Sequence, residues 1–526
     1  MNKFFSYAKQ SGPGWLQAAV TLGGGSLAGA LYLGVIGGNG LLWLQPLAMI
    51  FGVVMLTALA YVTLSTEDTP FVSTCKHISP VLAWAWLLAT VIANCVFCPA
   101  QASLGLGIVQ QNFGFGGVNP FIITSIMAVV AYVVVYFYSK GVKGVATFEN
   151  ILKFMVAVVI ICFFGSAVAH MVKGNVDFAT LAKGFIPNFS AMFKPASSLA
   201  DSIAATGPAS QWWSATIANS QRDIIITAFG TAVAINMTFL LPYTLKKKGW
   251  GKDQRELSRY DLGLGLAIPF IIATSFLVIT ASAQFHDKTE DVLGQDGKPI
   301  ALEVGYYKLL KGRVALDGEV PSNETGFRAI ADQLPIADRK LAAALTKRDA
   351  GQLATALKPL VGEKPAQLIF GIGIFAMALS TMIVHMLMNG FAISQAAGAP
   401  GKKKPFLIGA AIPAVTAALA PLLWSGANKA AMAIPASVVA TTLLPIAYLI
   451  FVLLMNSKKT LGDEKLTGNK LIIVNVLMGV GLFLAGFASV WALKNKGVPG
   501  QYGLIALVVL AAIGIISFIK KNKVSA

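Results

Sequence analysis

The sequence predicts an all-α membrane protein with about twelve transmembrane helices, arranged as a 5+5 inverted repeat with two additional C-terminal helices. Composition points to a membrane because 56% of the 526 residues are hydrophobic and only 12% are charged. Apolar segments of about 20 residues, long enough to span a bilayer, recur along the whole chain. Two of these segments are interrupted near their middle, and the 51 glycines fit closely packed or broken membrane helices.

The predicted membrane segments divide the chain into two repeats of five helices each, followed by a final pair. They cover residues 13–36, 41–64, 80–111, 119–138, 147–171, 223–245, 261–284, 366–396, 406–424, 431–455, 470–492 and 501–519. The resulting organisation is residues 1–171 for helices 1–5, 172–222 for an extracellular loop, 223–284 for helices 6–7, 285–365 for an extracellular cap or insertion, 366–455 for helices 8–10, and 456–526 for helices 11–12 with a cytoplasmic tail.

Positive charge lies in the short loops that follow even-numbered segments, as at Lys246–Lys248 and Lys402–Lys404. Such a bias marks the cytoplasmic face of a membrane protein. We therefore expect a multi-pass protein of the cell (inner) membrane with both termini in the cytoplasm. The same distribution explains the net charge of +18 without nucleic-acid binding.

Catalytic and metal-binding patterns are missing from the sequence. The CxxC at Cys95–Cys98 lies in an apolar helix without a second pair, which favours small buried hydrophobes over a soft-metal site. No Ser-His-Asp arrangement, His/Asp metal cluster or phosphate loop is evident. We therefore expect no enzyme activity and no catalytic residues; a channel remains open as another class.

The first segment is interrupted by three consecutive glycines in Leu22-Gly23-Gly24-Gly25-Ser26. Each glycine in a helix interior costs about 1 kcal/mol relative to alanine. Non-helical backbone at mid-membrane survives only where it lines a cavity or is buried in protein. We expect Ser26 to cap a restarting half-helix. The alternative is that the glycines only let helices approach one another.

The sixth segment is interrupted in the same way, with the polar residues Asn236 and Thr238 at mid-span and Pro242 one turn later. Two interrupted helices, five segments apart, are typical of inverted-repeat transporters, whose substrate binds between the breaks. The alternative is a pair of packing kinks. The predicted substrate-binding residues are Gly23, Gly24, Gly25, Ser26, Asn236, Met237 and Thr238.

Two long loops lie on the face opposite the basic loops. Residues 172–222 carry Trp212 and Trp213, which suit an anchor at the membrane interface. Residues 285–365 have mixed charge and a helix-like stretch at 337–360, which predicts a small external cap. A loosely ordered insertion without a role in transport is the alternative.

Several motifs resemble those of the NRAMP family of metal transporters, within the LeuT-fold (APC) superfamily. They are Gly12–Gly14 ahead of a broken first helix, Phe148–Glu149, Ala378–Met382, Asn389–Phe391 and Leu443–Pro445. The resemblance covers most of the first ten segments apart from the two long loops. It implies a LeuT-like fold and a secondary transporter that works by alternating access.

The sequence departs from this family at the residues that bind metal and relay protons. The family's first-helix Asp-Pro-Gly-Asn is replaced by Gly23–Ser26, and its sixth-helix Met-Pro-His by Ile235–Met237. The Asp and Glu of its proton relay correspond to Cys98 and Gln101. These departures therefore argue against a standard proton-coupled Mn²⁺/Fe²⁺ transporter, and against metal ligands at the site.

The remaining site chemistry favours a small anion, for example bicarbonate, or a small polar solute. Divalent cations prefer carboxylate or several carbonyl oxygens, and transition metals also take imidazole or anionic ligands. A glycine run at a helix start offers backbone N–H groups and the positive end of a helix dipole. The alternative substrate is a divalent cation such as Mg²⁺, carried without proton coupling.

A second candidate site lies on the eighth segment, at Ser380 and Thr381. In sodium-coupled LeuT-fold proteins such hydroxyls join carbonyls of the first helix, here at Leu22, around Na⁺. Na⁺ is therefore the candidate coupling ion, and no other cofactor or protein partner is expected beyond the substrate and the lipid bilayer. His385 is a candidate gating or cavity residue with Gln101 and Cys98; a packed histidine is the alternative.

One ion pair is also predicted, between Glu149 and Lys153, which are spaced i,i+4 at the start of segment five.

Overall fold

The computed structural model describes residues 2–174, 177–348, 362–423, 433–494 and 496–523. The regular structure in these ranges consists of helices joined by loops, with a single isolated β-bridge. The helices of the first half are α1 (Asn2–Gln10), α2 (Pro13–Thr21), α3 (Gly24–Gly37), α4 (Leu44–Ser65), α5 (Pro70–His77), α6 (Pro80–Gln111), α7 (Pro120–Tyr138), α8 (Val142–Val172), α9 (Phe178–Gly184), α10 (Ala200–Ala204), α11 (Ser210–Ala232) and α12 (Ile235–Lys247).

The second half continues with helices of the same kind. They are α13 (Arg255–Asp261), α14 (Ile268–Phe285), α15 (Glu303–Asp317), α16 (Glu324–Ala331), α17 (Ile336–Leu345), α18 (Glu363–Ala396), α19 (Lys403–Ala418), α20 (Ala420–Leu423), α21 (Ala433–Asn456), α22 (Lys458–Leu461), α23 (Gly468–Lys494) and α24 (Gly497–Lys523). A π-helical turn at Leu262–Ala267 joins α13 to α14.

In the described part of the chain, nine helices are long and apolar enough to cross a membrane, and the bent pair α2 and α3 forms a tenth span. Segments six and nine of the sequence correspond to α11 with α12 and to α19, which are shorter or more polar. The prediction of an all-α multi-pass membrane protein is confirmed.

Both predicted interruptions are present. The axis bends by 56° between α2 and α3, where Leu22 and Gly23 leave the helical conformation. Val233 and Ala234 are extended between α11 and α12, and Pro242 lies inside the second half-helix. Because α2, α3, α11 and α12 all pack against α6, α18 or each other, the two breaks face the centre of the molecule.

The predicted cap by Ser26 is wrong. Gly23 occupies the N-cap position of α3, and the Ser26 hydroxyl instead donates to the Thr21 carbonyl at the end of α2. The side chain therefore ties the two half-helices together across the break.

The first long loop is shorter than predicted, because α11 begins at Ser210 rather than near residue 223. The proposed interfacial anchor at Trp213 is also wrong, since its indole is buried and donates to Asp338. In the second loop, α17 (Ile336–Leu345) covers part of the predicted helix at 337–360, and residues 349–361 lie outside the described residues.

The basic loops lie together on one face. Lys521 Nζ, near the end of α24, donates to the Lys76 carbonyl over 2.9 Å. Lys252 and Arg255, after α12, both pair with Glu464, after α21, at 2.8 Å. The shared face agrees with the loop pattern; its assignment to the cytoplasm stays a prediction.

Candidate functional site

A buried cavity of about 30 Å³ lies between the two helix breaks. It brings together residues that lie far apart in the sequence, from α2, α3, α6, α12 and α18. The lining residues are Val20, Thr21, Gly23, Gly25, Ser26, Phe97, Gln101, Ala234, Asn236, Met237, Thr381 and His385.

The start of α3 forms one wall of the cavity. Its helical ladder begins with the bond from the Leu27 N–H to the Gly23 carbonyl, so the N–H groups of Gly24, Gly25 and Ser26 precede the ladder. The Gly24 N–H donates to Oε1 of Gln101 over 2.8 Å. The partial positive charge of this helix start therefore borders the cavity. The side chain beside it, Gln101, is a neutral amide.

Gly23 is required by the close approach of α18. A Cβ at this position would lie 2.9 Å from Thr381 Oγ1 and 3.0 Å from its methyl carbon. The glycine therefore brings the first break into contact with the hydroxyl pair of α18.

The start of α12 forms the opposite wall. Asn236 Nδ2 donates to Asn94 Oδ1 over 2.9 Å, and Asn236 Oδ1 accepts the Met237 N–H. The Met237 sulfur accepts the Ala234 N–H at 3.4 Å, and Gln17 Nε2 donates to the Met237 carbonyl. These neutral side chains hold the second break in place.

Three of the predicted substrate or cavity residues, Gly24, Thr238 and Cys98, are not among the residues that line the cavity. The Thr238 hydroxyl donates to the Ile235 carbonyl and accepts the indole N–H of Trp86 over 2.9 Å. The buried Cys98 sulfur lies 4.0 Å from the Met382 carbonyl. Both side chains pack between helices.

The hydroxyls of α18 meet the end of α2, and their role as a coupling-ion site stays a prediction. Ser380 Oγ lies 3.3 Å from the Ala19 carbonyl. Thr381 Oγ1 lies 3.0 Å from the same carbonyl and 3.5 Å from that of Leu22. Both hydroxyls also reach the Met377 carbonyl within α18. The result is a cluster of uncharged oxygens, the ligand type that hard cations prefer.

His385 lines the cavity from α18 and stacks on Phe97, with ring centroids 5.4 Å apart. Its Nδ1 has no hydrogen-bond partner among the described residues. It is the one ionisable side chain among the lining residues. Within the described chain, no group of three or more His, Cys, Asp or Glu residues is placed to hold a metal ion.

Buried carboxylates lie instead at the other end of α2. Asp261 accepts the N–H groups of Gly12 and Gly14 over 2.9 and 2.6 Å. The predicted pair between Glu149 and Lys153 is wrong. Glu149 pairs with Lys248 over 2.9 Å, and Lys153 Nζ donates to the Ser11 carbonyl, because the turn after α12 brings a closer cation.

Sequence reasoning missed Asn94, Gln17 and Phe97. Asn94 and Gln101 are seven residues apart on the apolar helix α6, a spacing that places both on one face. Two polar residues on one face of an apolar helix indicate that this face borders a polar cavity. No comparable signal marked Gln17 or Phe97.

The family profile described as "Natural resistance-associated macrophage protein-like" (Nramp) matches residues 14–304 and 340–492. The chain belongs to the Nramp family. Nramp proteins are membrane transporters, so this chain is a transporter and not an enzyme. Residues 305–339 fall between the two matched stretches.

Solved structures agree with the fold. A manganese transporter of Eremococcus coleocola, crystallised with an aromatic bis-isothiourea substituted compound, aligns over 97% of this chain and 95% of its own, with a TM-score of 0.61 and 14% identity. MhsT in complex with L-phenylalanine aligns over 90% and 98%, with a TM-score of 0.51 and 14% identity. A comparison with curated proteins gives no match.

These similarities confirm the LeuT-like fold of this Nramp chain and its working by alternating access. They favour a metal ion as the substrate of the family, and they give no support to sodium or bicarbonate. Identities of 14% carry the fold alone, so the choice of substrate depends on the residues of the cavity.

Proposed function

We propose that this Nramp-family transporter carries a small anion of about the size of bicarbonate, or a small polar solute, through the cavity between the two helix breaks. One observation carries the proposal: the lining residues supply backbone N–H groups, amides and hydroxyls, and none is a carboxylate. A helix start with N–H groups outside the ladder is a favourable anion site.

A divalent cation is a poor match to the same lining. Removing a doubly charged ion from water is expensive unless the protein supplies opposite charge or many oxygen ligands. His385, the one ionisable lining side chain, supplies no negative charge, and Gln101 directs its oxygen to the Gly24 N–H. The arrangement therefore supports an anion better than a cation at the first break.

Sodium coupling extends the proposal. The oxygen cluster at Ala19, Leu22, Ser380 and Thr381 would hold Na⁺ beside the cavity. Thr381 also lines the cavity, so the two sites are contiguous. A cation in one site and an anion in the other attract each other, which makes binding of the two ions mutually favourable.

A divalent cation carried without proton coupling is the second candidate. Membership of the Nramp family favours it, and one structural neighbour is described as a manganese transporter. In this case backbone carbonyls near Leu22 and the Met237 sulfur would serve as ligands. Cys98 and Gln101 leave no acidic relay on α6 in this candidate either.

Flux into proteoliposomes separates the two candidates. Uptake of labelled bicarbonate is measured with an inward Na⁺ gradient or with choline in its place, and uptake of Mn²⁺ and Mg²⁺ with a trapped metal-sensitive dye. We expect saturable, Na⁺-stimulated bicarbonate uptake that shows counterflow, which a channel lacks. In the Gly24→Trp variant the new side chain would meet Gln101 and Leu104 of α6, where a Cβ already comes within 3.1 Å, and should abolish uptake by displacing the Gln101 wall of the cavity.

Protein-free vesicles and Gly29→Ala, at a glycine with open space around it, are the controls. Saturable metal uptake that Gly24→Trp abolishes, with no bicarbonate uptake, would refute the anion proposal and establish the second candidate. Membrane orientation needs cell-derived membranes: the proposal places the basic loops and both termini in the cytoplasm, so added protease should reach Lys402–Lys404 in inside-out membrane vesicles and not in intact cells.

A further inference from the structure

The cap is a folded addition to the Nramp transporter. Helices α15, α16 and α17 lie in and around residues 305–339, the stretch that the family match passes over. They enclose a small apolar core, with Tyr306, Leu310 and Leu341 all buried. A packed insertion of this kind has a defined position relative to the helices beneath it.

The cap is fixed to the outer half of the sixth membrane segment. Asp338, at the start of α17, is completely buried. Its Oδ1 accepts the indole N–H of Trp213 on α11 over 2.5 Å and pairs with Arg313 Nε of α15 at 3.0 Å. Breaking a buried pair of this kind leaves an unpaired charge, so the link between cap and α11 is rigid.

A second anchor ties the end of α17 to the end of α14. Arg348 is buried, pairs with Asp291 at 2.7 Å and donates to the Lys288 carbonyl. On the other side, the Thr346 hydroxyl donates to the Ala342 carbonyl over 2.8 Å. Lys347 lies between these two fixed residues, so its backbone position is set by the cap.

The Lys347 side chain is exposed and reaches over the first membrane segment. Its Nζ lies 4.6 Å from the ring centroid of Tyr32, a buried residue of α3. The Tyr32 hydroxyl lies beside the Ser220 side chain of α11. Tyr32 is eight residues beyond Gly24, about 12 Å along the helix. The ammonium group therefore lies over the seam between α3 and α11, whose inner ends frame the cavity.

The charge around this seam is positive. Lys308 of α15 is close enough to add its field to that of Lys347, and Asp223 of α11 opposes it. The indole N–H of Trp491 donates to Asp223 over 2.8 Å and leaves its charge in place, so two lysines face one carboxylate and the balance is positive. A fixed cation at a narrow entrance raises the local concentration of anions and lowers that of cations.

We propose that the inserted cap makes Lys347 a selectivity residue at the cap-side entrance to the transport site, where its charge favours the approach of anions. This inference rests on the proposed function for the sign of the substrate. The position of Lys347 over the seam between α3 and α11 does not depend on that sign.

The test is uptake kinetics of Lys347→Glu, Lys347→Gln and Lys347→Arg in proteoliposomes at constant Na⁺. At low ionic strength, we expect Lys347→Glu to raise the KM for bicarbonate by about 3- to 10-fold and to leave the maximal rate nearly unchanged. Lys347→Gln should give a smaller increase, and Lys347→Arg should match the wild type. In about 0.5 M choline chloride the differences should disappear, since salt screens exposed charges.

Lys298→Glu is the matched control, because Lys298 is an exposed cap lysine without an ion pair among the described residues. An unchanged KM in both Lys347→Glu and Lys347→Gln would overturn the inference, as would an equal change in Lys298→Glu. If the substrate is a divalent cation, Lys347→Glu should lower its KM. That result would refute the proposed function and still support the position of Lys347 at the entrance to the transport site.

Discussion

Two helix starts within the first membrane segment differ in what accepts their N–H groups. At the start of α2, the Asp261 carboxylate accepts the N–H groups of Gly12 and Gly14. At the start of α3, the Gly24 N–H is accepted by the neutral Gln101 amide, and Gly25 and Ser26 border the cavity. Both ends carry the same partial positive charge.

The difference between the two helix starts is the basis of the anion proposal. A resident carboxylate fills the first anion site permanently and gives it a structural role. The second helix start has the same backbone chemistry without a carboxylate on it, and in the proposal a mobile anion binds there. The buried carboxylates of Asp261 and Glu149 lie at the start of α2 rather than at the cavity.

The largest effect is expected at the anchor. Asp261→Ala should lower the free energy of unfolding by about 3 kcal/mol, because two charge-assisted hydrogen bonds to buried N–H groups are lost. Thermal unfolding of the purified protein measures this change. Asp261→Asn keeps one acceptor oxygen and should lie in between. Asp253→Asn, at an exposed carboxylate of the same region, is the control. An unchanged melting temperature in Asp261→Ala would contradict the structural role of Asp261.

The next effect is expected at the break. Gly23→Val should reduce uptake on the order of 100-fold, since its Cβ would displace Thr381 by a fraction of an ångström in a site that needs accurate geometry. Gly29→Ala has free space around it and should transport like the wild type. Normal uptake by a folded Gly23→Val would show that the break is not part of the site.

The sequence predicted the breaks and much of the cavity for a local reason. A run of three glycines disfavours a continuous helix whatever its neighbours are, and the combination of Asn236, Thr238 and Pro242 does so through low propensity and a lost N–H. Contacts between distant residues carry no such signal. The partner of Gly14 is Asp261, 247 residues away, and the partner of Trp213 is Asp338. The predicted pair of Glu149 with Lys153 failed for the same reason.

A smaller effect is expected at the oxygen cluster. Thr381→Val keeps the shape of the side chain and removes its hydroxyl, so the Na⁺ concentration for half-maximal uptake should rise about 10-fold. Thr274→Val removes a buried hydroxyl of α14 that bonds only within its own helix and should have no effect on Na⁺ dependence. Uptake that is independent of Na⁺ in the wild type would contradict the coupling.

The smallest effect is expected at Met237. Its sulfur accepts the Ala234 N–H and is not needed as a ligand for an anion. Met237→Leu conserves volume, so uptake of bicarbonate should stay within about twofold of the wild type. A complete loss of transport from the folded variant would instead identify the sulfur as a ligand for a soft metal ion.

Direct titration of Mn²⁺ into the purified transporter, followed by electron paramagnetic resonance, tests the central claim that this cavity does not select a divalent metal. With the Eremococcus coleocola manganese transporter as the positive control, we predict that Mn²⁺ stays free in the presence of this protein, with any Kd weaker than about 1 mM. Stoichiometric binding in the micromolar range, abolished by Gly24→Trp, would contradict the account and make this chain a metal carrier without a carboxylate at its site.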